Sequence, residues 1–408
     1  MRLRRESFGL LLFLGALAAL PPLAIDMSLP AMPVIARALH AASSMVGLTL
    51  SLFMAGFAVS PVVYGPLADR YGRRLPLLAG LLLFTLGGLA AMAAPTIALL
   101  LTARLVQGVG AGAGMTLAFT IVRDLFEGRA AQTRLAVITI VANVAPIVAP
   151  ALGALLLGMA GWRGIYGVPG LSGVLLTVIA AVSLPETRPG AAPPAGVRRL
   201  VGQYRQVLCH REVMLHIGLN ALGFGWMFAY VSGSSLVLIG LMHVSAALYA
   251  GLFACTGMGI VVGAFCNARL SHRGVSATLL LSLAVALALT ATLTLCWRAA
   301  LGPVPLGEMM PLLVLATASF GLAAPSAAHG ALHPLPDCAG IVGGLLTSLQ
   351  MLGGAGASGV VALLFPRFGL MAMAGTMAGC AVAALGLRLL LAARTREGRE
   401  RLLFVNKK

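Results

Sequence analysis

Twelve runs of mostly apolar residues follow one another along this chain. A run of about 20 such residues is long enough to cross the hydrocarbon core of a bilayer as an α-helix, which satisfies its own backbone hydrogen bonds. The sequence therefore predicts an all-α polytopic membrane protein with twelve transmembrane helices. We place the helices at roughly residues 8–30, 44–66, 76–94, 98–122, 134–158, 162–184, 212–236, 244–268, 276–297, 309–330, 340–365 and 368–392.

The composition excludes a soluble protein of this size. Only 10% of the 408 residues are charged, whereas soluble proteins carry about 25%. The formal net charge of +17 would suit a nucleic-acid-binding protein, but no basic stripe with interleaved aromatic residues is present. We expect no nucleic-acid partner, and we assign the arginines to the loops of a membrane protein.

The longest break between apolar runs, residues 185–211, is rich in proline and arginine and divides the runs six and six. We interpret residues 1–190 as a first six-helix bundle and 212–392 as a second. Residues 191–211 are then a cytoplasmic linker loop, and 393–408 a basic cytoplasmic tail.

The basic residues predict the orientation, because positively charged loops stay in the cytoplasm. The loops that follow even-numbered helices, together with both tails, hold 22 of the 28, and the opposite loops hold four. Both termini are therefore expected on the cytoplasmic side. The four basic residues in the opposite loops are Arg37, Arg163, Arg298 and Arg367.

The stretch "YGPLADRYGRR" at 64–74 concentrates charge in the turn between the second and third helices. It resembles the signature G-x-L-a-D-r-x-G-r-r of the major facilitator superfamily. The resemblance implies two six-helix bundles that rock around a central site. It also implies that this latch motif joins the bundles when the cytoplasmic side is closed. The residues that match the signature are Gly65, Asp69, Arg70, Gly72 and Arg73.

The segment "ARLVQGVGAGAGM" places Arg104 deep in the fourth helix, followed by Gln107 and four glycines. It resembles the R-x-x-Q-G segment of the same superfamily. A buried arginine is expensive and is usually functional, although pairing with backbone carbonyls would give it a purely structural role. The glycines, spaced by four, predict close helix packing.

The fifth helix carries "NVAPIVAPALGALL", which resembles the antiporter motif G-P-x-x-G-G at Pro146, Pro150 and Gly153. The doubled proline pattern is similar to the bicyclomycin-resistance and chloramphenicol-exporter branch of the superfamily. So are "DMSLPAMPVIA", "IVRDLFEGR", "GWRGIY" and "LPETRP". Close packing at Gly153 should permit an alanine more readily than a leucine.

Asp26 is the one acidic residue of eleven that falls inside a predicted helix rather than in a loop, a tail or a helix end. The nearby prolines, Pro21, Pro22, Pro30 and Pro33, should kink or interrupt that helix. We interpret Asp26, with Arg104, as the proton-coupling pair. An exofacial capping residue, near the outer end of the helix, is the alternative for Asp26.

The second half has no acid deep in a helix, and it offers aromatic and polar residues instead. An apolar wall with a few polar groups is typical of a drug pocket, although each residue could equally serve helix packing. The predicted substrate-binding residues are Asn220, Phe224, Trp226, Phe228, Tyr230 and Gln350.

No cofactor or metal is expected. His329, His333 and Asp337 have the spacing of ligands on one helix face, but Pro334 and Pro336 interrupt that helix. The six cysteines form no CxxC pair and are expected to be buried and free.

The resemblance predicts proton-coupled efflux of small hydrophobic drugs or antibiotics across the bacterial inner membrane, by a monomer that is not an enzyme. A proton-coupled metabolite transporter of the same fold is the alternative. An intramembrane enzyme would need a clustered His/Asp or Ser/Lys site in the helices, and the sequence shows none. A receptor or scaffold function would account neither for an acidic residue inside a predicted helix, Asp26, nor for the antiporter-like motif of the fifth helix.

Overall fold

The computed structural model describes residues 8–187 and 197–405, with side chains described for 8–187 and 198–393. Every regular element in these ranges is helical. The first half contains α1 (Phe8–Asp26), a 3-10 turn (Leu29–Ala31), α2 (Met32–Ala38), α3 (Ser43–Tyr71), α4 (Arg74–Ala93), α5 (Ile97–Leu125) and α6 (Gly128–Ser183).

The 56 residues of α6 are two membrane crossings rather than one. Gly161 has φ 66° and ψ −173°, a conformation that favours glycine, and it divides the helix into arms of residues 128–160 and 162–183. The described residues contain eleven helices that are long and apolar enough to cross a bilayer. Because one of these is α6, the described part of the chain makes the twelve crossings that the sequence predicts.

The second half repeats the pattern of long helices. It contains α7 (Val197–Cys209), α8 (Arg211–Ser234), a π-helical turn (Ser235–Leu241), α9 (Ala246–His272), α10 (Ala277–Leu301), α11 (Leu306–Leu332), a 3-10 turn (Pro336–Cys338), α12 (Ala339–Phe368) and α13 (Leu370–Val405).

Side-chain caps fix several helix starts. Thr96, Ser245 and Ser276 each accept a hydrogen bond from the backbone N–H three residues further on, at the starts of α5, α9 and α10. Such caps satisfy N–H groups that the first turn of a helix leaves free.

The linker differs from the expected loop, because α7 occupies most of it. Val207 of α7 is fully buried against Val213, Ile217 and Val342 of the second half. This amphipathic packing explains the helix, since an isolated segment of 13 residues is marginal in water. Residues 188–196 of the linker lie outside the described residues, as do 1–7 and 406–408 of the two tails. The basic tail that was expected from 393 continues α13 as far as Val405.

Each half is built mainly from its own helices. In the first half α5 packs between α3 and α4, and α1 packs on α6. In the second half α8 packs on α11, α12 and α13, and α9 packs on α11. The halves meet where α3 packs against α12 and where α6 packs against α9.

Two ends of this bundle are distinguished below. The basic end holds the turn between α3 and α4, the turn between α9 and α10, and α7. The opposite end holds the 3-10 turn Leu29–Ala31, the π-helical turn and Gly161.

Candidate functional site

The break in the first membrane crossing is the centre of the site, because α1 ends at Asp26. Pro30 lacks the N–H that would continue the helix from the Asp26 carbonyl, and Pro33 has the same effect for Leu29. The expectation that prolines interrupt this helix beside the carboxylate is therefore confirmed. The chain passes through the 3-10 turn and resumes as α2.

Asp26 is buried, with 4% of its surface exposed. Among the described residues no basic side chain forms an ion pair with it. It lies within electrostatic range of Tyr230 and Tyr249, which belong to the other half. The carboxyl group thus lies in a low-dielectric region where the two halves meet.

Arg104 is also buried, with 1% exposed, and it contacts the same stretch of α1. One terminal nitrogen donates to the Ala24 carbonyl at 3.0 Å, and the other donates to Oε1 of Gln107 at 2.6 Å. The guanidinium lies 4.3 Å from the ring centroid of Phe53. Arg104 therefore holds α5 to α1 two residues before Asp26, through a carbonyl rather than through the carboxylate.

Tyr166 belongs to this cluster, although the sequence did not mark it as a site residue. Its ring centroid lies 5.4 Å from the Arg104 guanidinium. Its hydroxyl group lies near the side chains of Ser28 and Thr49. The Tyr166 hydroxyl is buried and makes no hydrogen bond of normal geometry. The only sequence signal was its place in "GWRGIY".

The predicted substrate-binding residues of α8 divide into two groups. Asn220 donates to Oε1 of Gln350 at 2.9 Å, which joins α8 to α12. Phe224 packs on Phe228 with ring centroids 4.4 Å apart, and Phe320 lies 5.7 Å from Phe224. These groups form a polar and aromatic surface next to the other half.

Trp226 and Tyr230 point into the second half instead. The Trp226 indole N–H donates to the Ala316 carbonyl at 3.2 Å, and the Tyr230 hydroxyl lies 2.7 Å from Oγ1 of Thr256. Both side chains are 1% exposed. Trp226 thus serves helix packing in this structure, while Tyr230 combines packing with its position near Asp26.

The antiporter-like segment of α6 packs directly against the break in the first crossing. A Cβ atom at Gly153 would collide with the carbonyl oxygen of Met27, which follows Asp26. Pro150 is buried, and Pro146 is partly buried one turn earlier. The ranking of alanine above leucine at Gly153 stays a prediction, but this contact leaves no room for a methyl group either.

The glycines after Arg104 confirm the predicted close packing. A Cβ at Gly108 would meet the backbone of Phe53, and one at Gly112 would meet Ser60, both in α3. Gly110 faces Gly80 and Phe84 of α4 in the same way.

At the basic end, the latch motif is held by carboxylates of its own half. Arg73 forms ion pairs with Asp69 at 2.6 Å and with Asp124 at 2.7 Å. Burial alone would lower the pKa of Arg73, but the hydrogen bonds and charges of Asp124 and Asp69 outweigh it, so the pKa lies above its usual value. The two carboxylates therefore stabilise the positively charged form of the Arg73 guanidinium.

Glu186 completes this network from the end of α6. Its two carboxylate oxygens accept from the backbone N–H groups of Arg73, at 2.8 Å, and Arg74, at 3.3 Å. Gly72 adopts φ 86° beside it, and an added Cβ would meet the Glu186 carboxylate. Asp124 and Glu186 lie in the segments "IVRDLFEGR" and "LPETRP", and their part in the latch network was not predicted from the sequence.

The halves are joined at the opposite end of the bundle. The Ser235 hydroxyl donates to the Leu29 carbonyl at 2.5 Å, and Gly47 packs on Ala362. At the basic end, by contrast, a Cβ at Gly65 would meet nothing within 4 Å, and the Asp69 side chain is 69% exposed. Arg70 stacks over the neighbouring Tyr71 ring, 5.3 Å from its centroid.

The described residues contain no group of three His, Cys, Asp or Glu side chains that could hold a metal ion. The rings of His329 and His333 lie 5.5 Å apart, and α11 ends at Leu332, as the prolines predict.

The sequence profile described as Major Facilitator Superfamily matches residues 12–358. The chain belongs to the major facilitator superfamily. It is a multi-pass membrane protein of a family of transporters, and the all-α polytopic fold predicted from the sequence is confirmed.

Relatives of this superfamily member also confirm the resemblance to the drug-resistance branch. The Bicyclomycin resistance protein homolog of Haemophilus influenzae is 28% identical over 364 residues, which cover 87% of this chain and 89% of that protein. Multidrug resistance protein D of Escherichia coli is 28% identical, covering 88% and 89%. The MFS-type transporter YdgK of Bacillus subtilis is 37% identical over 268 residues, covering 65% and 67%.

Solved structures show the same fold at low identity. A bacterial homolog to the human lysosomal transporter Spinster, inward-facing and unoccupied, has a TM-score of 0.71 and 16% identity, covering 94% of this chain and 95% of that chain. A POT family transporter in complex with 5-aminolevulinic acid has a TM-score of 0.74 and 13% identity, covering 97% and 98%.

Proposed function

We propose that this member of the superfamily exports small hydrophobic drugs or antibiotics across the bacterial inner membrane in exchange for protons, by alternating access. The observation that carries the proposal is Asp26. It is a buried carboxyl group without an ion-pair partner among the described residues, placed where the two halves meet. The names of the relatives support drugs as the substrate class.

The surroundings of Asp26 suit proton exchange. A buried carboxyl group prefers its neutral form, whereas contact with water or with a cation favours the charged form. Asp26 lies at a break in α1, and the turn Leu29–Ala31 that follows accepts a hydrogen bond from Ser235 of the other half, so the environment of Asp26 changes when the halves move apart. Arg104 holds the preceding turn through Ala24 and fixes the position of the carboxyl group.

The surface around Phe224 suits an apolar or cationic drug. Phe224, Phe228 and Phe320 supply an aromatic wall, and the Asn220–Gln350 pair supplies polar groups beside it. Met54 from α3 and Phe224 from α8 both approach Gly354, so this surface adjoins the other half. A pocket with an apolar wall and few polar groups discriminates little among hydrophobic molecules of similar size.

The contacts between the halves support a mechanism with two access states. In the state described here the Ser235–Leu29 hydrogen bond joins the halves at the opposite end, and the Asp69 side chain of the latch motif is exposed. The other state requires that bond to break and the latch motif to engage the second half. Positive charge at the basic end supports a cytoplasmic location for this end and for both termini.

A growth-inhibition panel in a pump-deficient bacterial host tests the function itself. Expression of the protein should raise the inhibitory concentration of several hydrophobic drugs, and a protonophore should remove the increase. Unchanged inhibition by every drug, together with proton-dependent movement of a metabolite in vesicles, would favour the metabolite alternative.

Topology reporters test the proposed orientation. A reporter that is active only in the cytoplasm should work when it is fused after Gly274, in the turn between α9 and α10, or after Lys408. The same reporter should be silent after Gly302, between α10 and α11, because an odd number of crossings separates it from Lys408. A silent fusion at Lys408 would reverse the assignment of the two ends.

Asp69→Asn should impair transport severalfold and leave stability nearly unchanged. Asp69 is mostly exposed and pairs with Arg73, which lies beyond the end of α3 at the start of α4, and such exposed ion pairs contribute about 0–1 kcal/mol. The access state in which the latch motif engages the second half would lose a partner, so the population would shift away from it.

Asp124→Asn is the matched control for this prediction. Its side chain is only 12% exposed and pairs with Arg73 inside the first half, so its loss should lower the thermal unfolding midpoint as well as transport. Normal transport by well-expressed Asp69→Asn would reduce the motif to a topology signal.

A further inference from the structure

A groove of about 290 Å³ lies between α10 and α13. Neither helix contributes to the site around Asp26 or to the latch motif. Both segments belong to candidate membrane spans, Ala277–Leu301 and Leu370–Ala393, and Leu389 in the groove is 60% exposed. The groove therefore opens toward lipid. Its lining consists of Ser282, Val285, Ala286, Leu289, Leu385, Arg388, Leu389 and Ala392.

Arg388 is the charged group of this groove, and its hydrogen bonds are incomplete. Its Nε donates to the Ser282 hydroxyl at 3.0 Å, and one terminal nitrogen donates to the Thr278 carbonyl at 3.2 Å. The other terminal nitrogen is buried without a partner. Among the described residues no carboxylate forms an ion pair with Arg388.

The depth of Arg388 matches the boundary between headgroups and acyl chains. It lies six residues before Arg394, where the arginine-rich tail begins, and its partner Ser282 lies five residues after the start of α10. At 1.5 Å per residue Ser282 is roughly 8 Å from the basic end of α10. A charge at this depth needs a counter-charge, because an unpaired ion in an apolar environment is costly.

We propose that the groove binds one anionic glycerophospholipid of the surrounding leaflet. The phosphate pairs with the half-buried guanidinium of Arg388, whose charge no carboxylate balances among the described residues. One acyl chain runs along Val285, Leu289 and Leu385. The groove lies at the lower limit of the roughly 300–1,000 Å³ typical of ligand pockets, so it holds part of a lipid rather than a whole drug.

The rival explanation is that Arg388 only fastens α13 to α10. That role accounts for the bonds to Ser282 and Thr278, but it leaves the charge without a carboxylate partner among the described residues. Basic sites between transmembrane helices on the cytoplasmic side are known to receive anionic headgroups. The complementarity of charge, together with an apolar wall below it, therefore favours lipid.

Native mass spectrometry of the purified full-length protein tests the proposal. Palmitoyl-oleoyl phosphatidylglycerol and the matching phosphatidylcholine are added in turn to the detergent-solubilised protein. We expect one tight phosphatidylglycerol adduct that phosphatidylcholine does not reproduce. Arg388→Gln should weaken it about fivefold, corresponding to about 1 kcal/mol for one charge at a membrane surface.

Two pairs of variants test whether the lipid binds in this groove or is attracted to positive charge in general. Arg273→Gln removes an exposed arginine from the neighbouring turn and should keep the adduct. Ala286→Phe fills the groove and should lose the adduct with Arg388 intact, whereas Ala383→Phe, on α13 outside the groove, should keep it. The Ala286 pair decides the question even if Arg388→Gln fails to fold. Equal adducts with both lipids, an adduct unchanged by Ala286→Phe, or an equal loss in Arg273→Gln would overturn the proposal.

Discussion

Asp26→Asn should reduce pH-driven drug export to the level of vesicles without the protein. Asparagine keeps the size and the hydrogen-bonding capacity of the side chain, but it cannot take up or release a proton. The thermal unfolding midpoint should change little, because no ion pair of Asp26 is lost among the described residues. Binding of neutral drugs should partly remain, since the aromatic wall around Phe224 is untouched.

The measurement is drug accumulation in everted vesicles under an imposed pH gradient, with expression and binding determined in parallel. Glu308→Gln is a suitable control, because Glu308 is a half-exposed acid that pairs with Arg298 away from the site. The control should export drugs normally. Full pH-driven export by Asp26→Asn would show that the proton travels elsewhere, and Glu212 and Glu308 would then be examined as carriers.

The same vesicles test how much charge moves in each cycle. A single proton carrier implies about one proton for each drug molecule. Export of a monovalent cation would then be electroneutral and would respond to the pH gradient alone. Export of a neutral drug would also respond to the membrane potential, which contributes about 2.3 kcal/mol per charge per 100 mV. A response of cation export to potential alone would contradict the one-proton scheme.

The number and placement of helices were predictable because each crossing must be apolar over a fixed length. The break at Asp26 was predictable for a similarly local reason, since Pro30 and Pro33 remove backbone donors. The helix α7 was missed because proline and arginine dominate residues 185–211, and because its apolar positions are buried only by the second half.

Contacts between distant segments could not be derived from local patterns. Asp124 and Glu186 lie 51 and 113 positions from Arg73 in the sequence, and both bind it in the folded protein. The sequence also did not indicate which residues of α8 face the other half, because nearly all residues of this helix are apolar or small. Only tertiary packing separates Phe224, which faces the other half, from Trp226, which bonds to Ala316.

Gly153→Ala should impair both transport and stability, although a single methyl group is added. The new Cβ would collide with the Met27 carbonyl oxygen, which is backbone and cannot rotate away as a side chain can. Overpacking of this kind typically costs about 1–3 kcal/mol. Met27 follows Asp26, so any displacement of α1 that relieves the collision also moves the carboxyl group.

Gly158→Ala is the matched control, because it lies on the same arm of α6 and a Cβ there would meet nothing within 4 Å. Alanine favours a helix over glycine, so this control should be neutral or slightly stabilising. We expect Gly153→Ala to lower the thermal unfolding midpoint and to reduce export at least severalfold, and Gly153→Leu to abolish export. If Gly153→Ala behaved like Gly158→Ala in both measurements, the contact between α6 and the break in α1 would not govern transport. The antiporter-like segment would then act through packing against α9, where Ile147 meets Gly257.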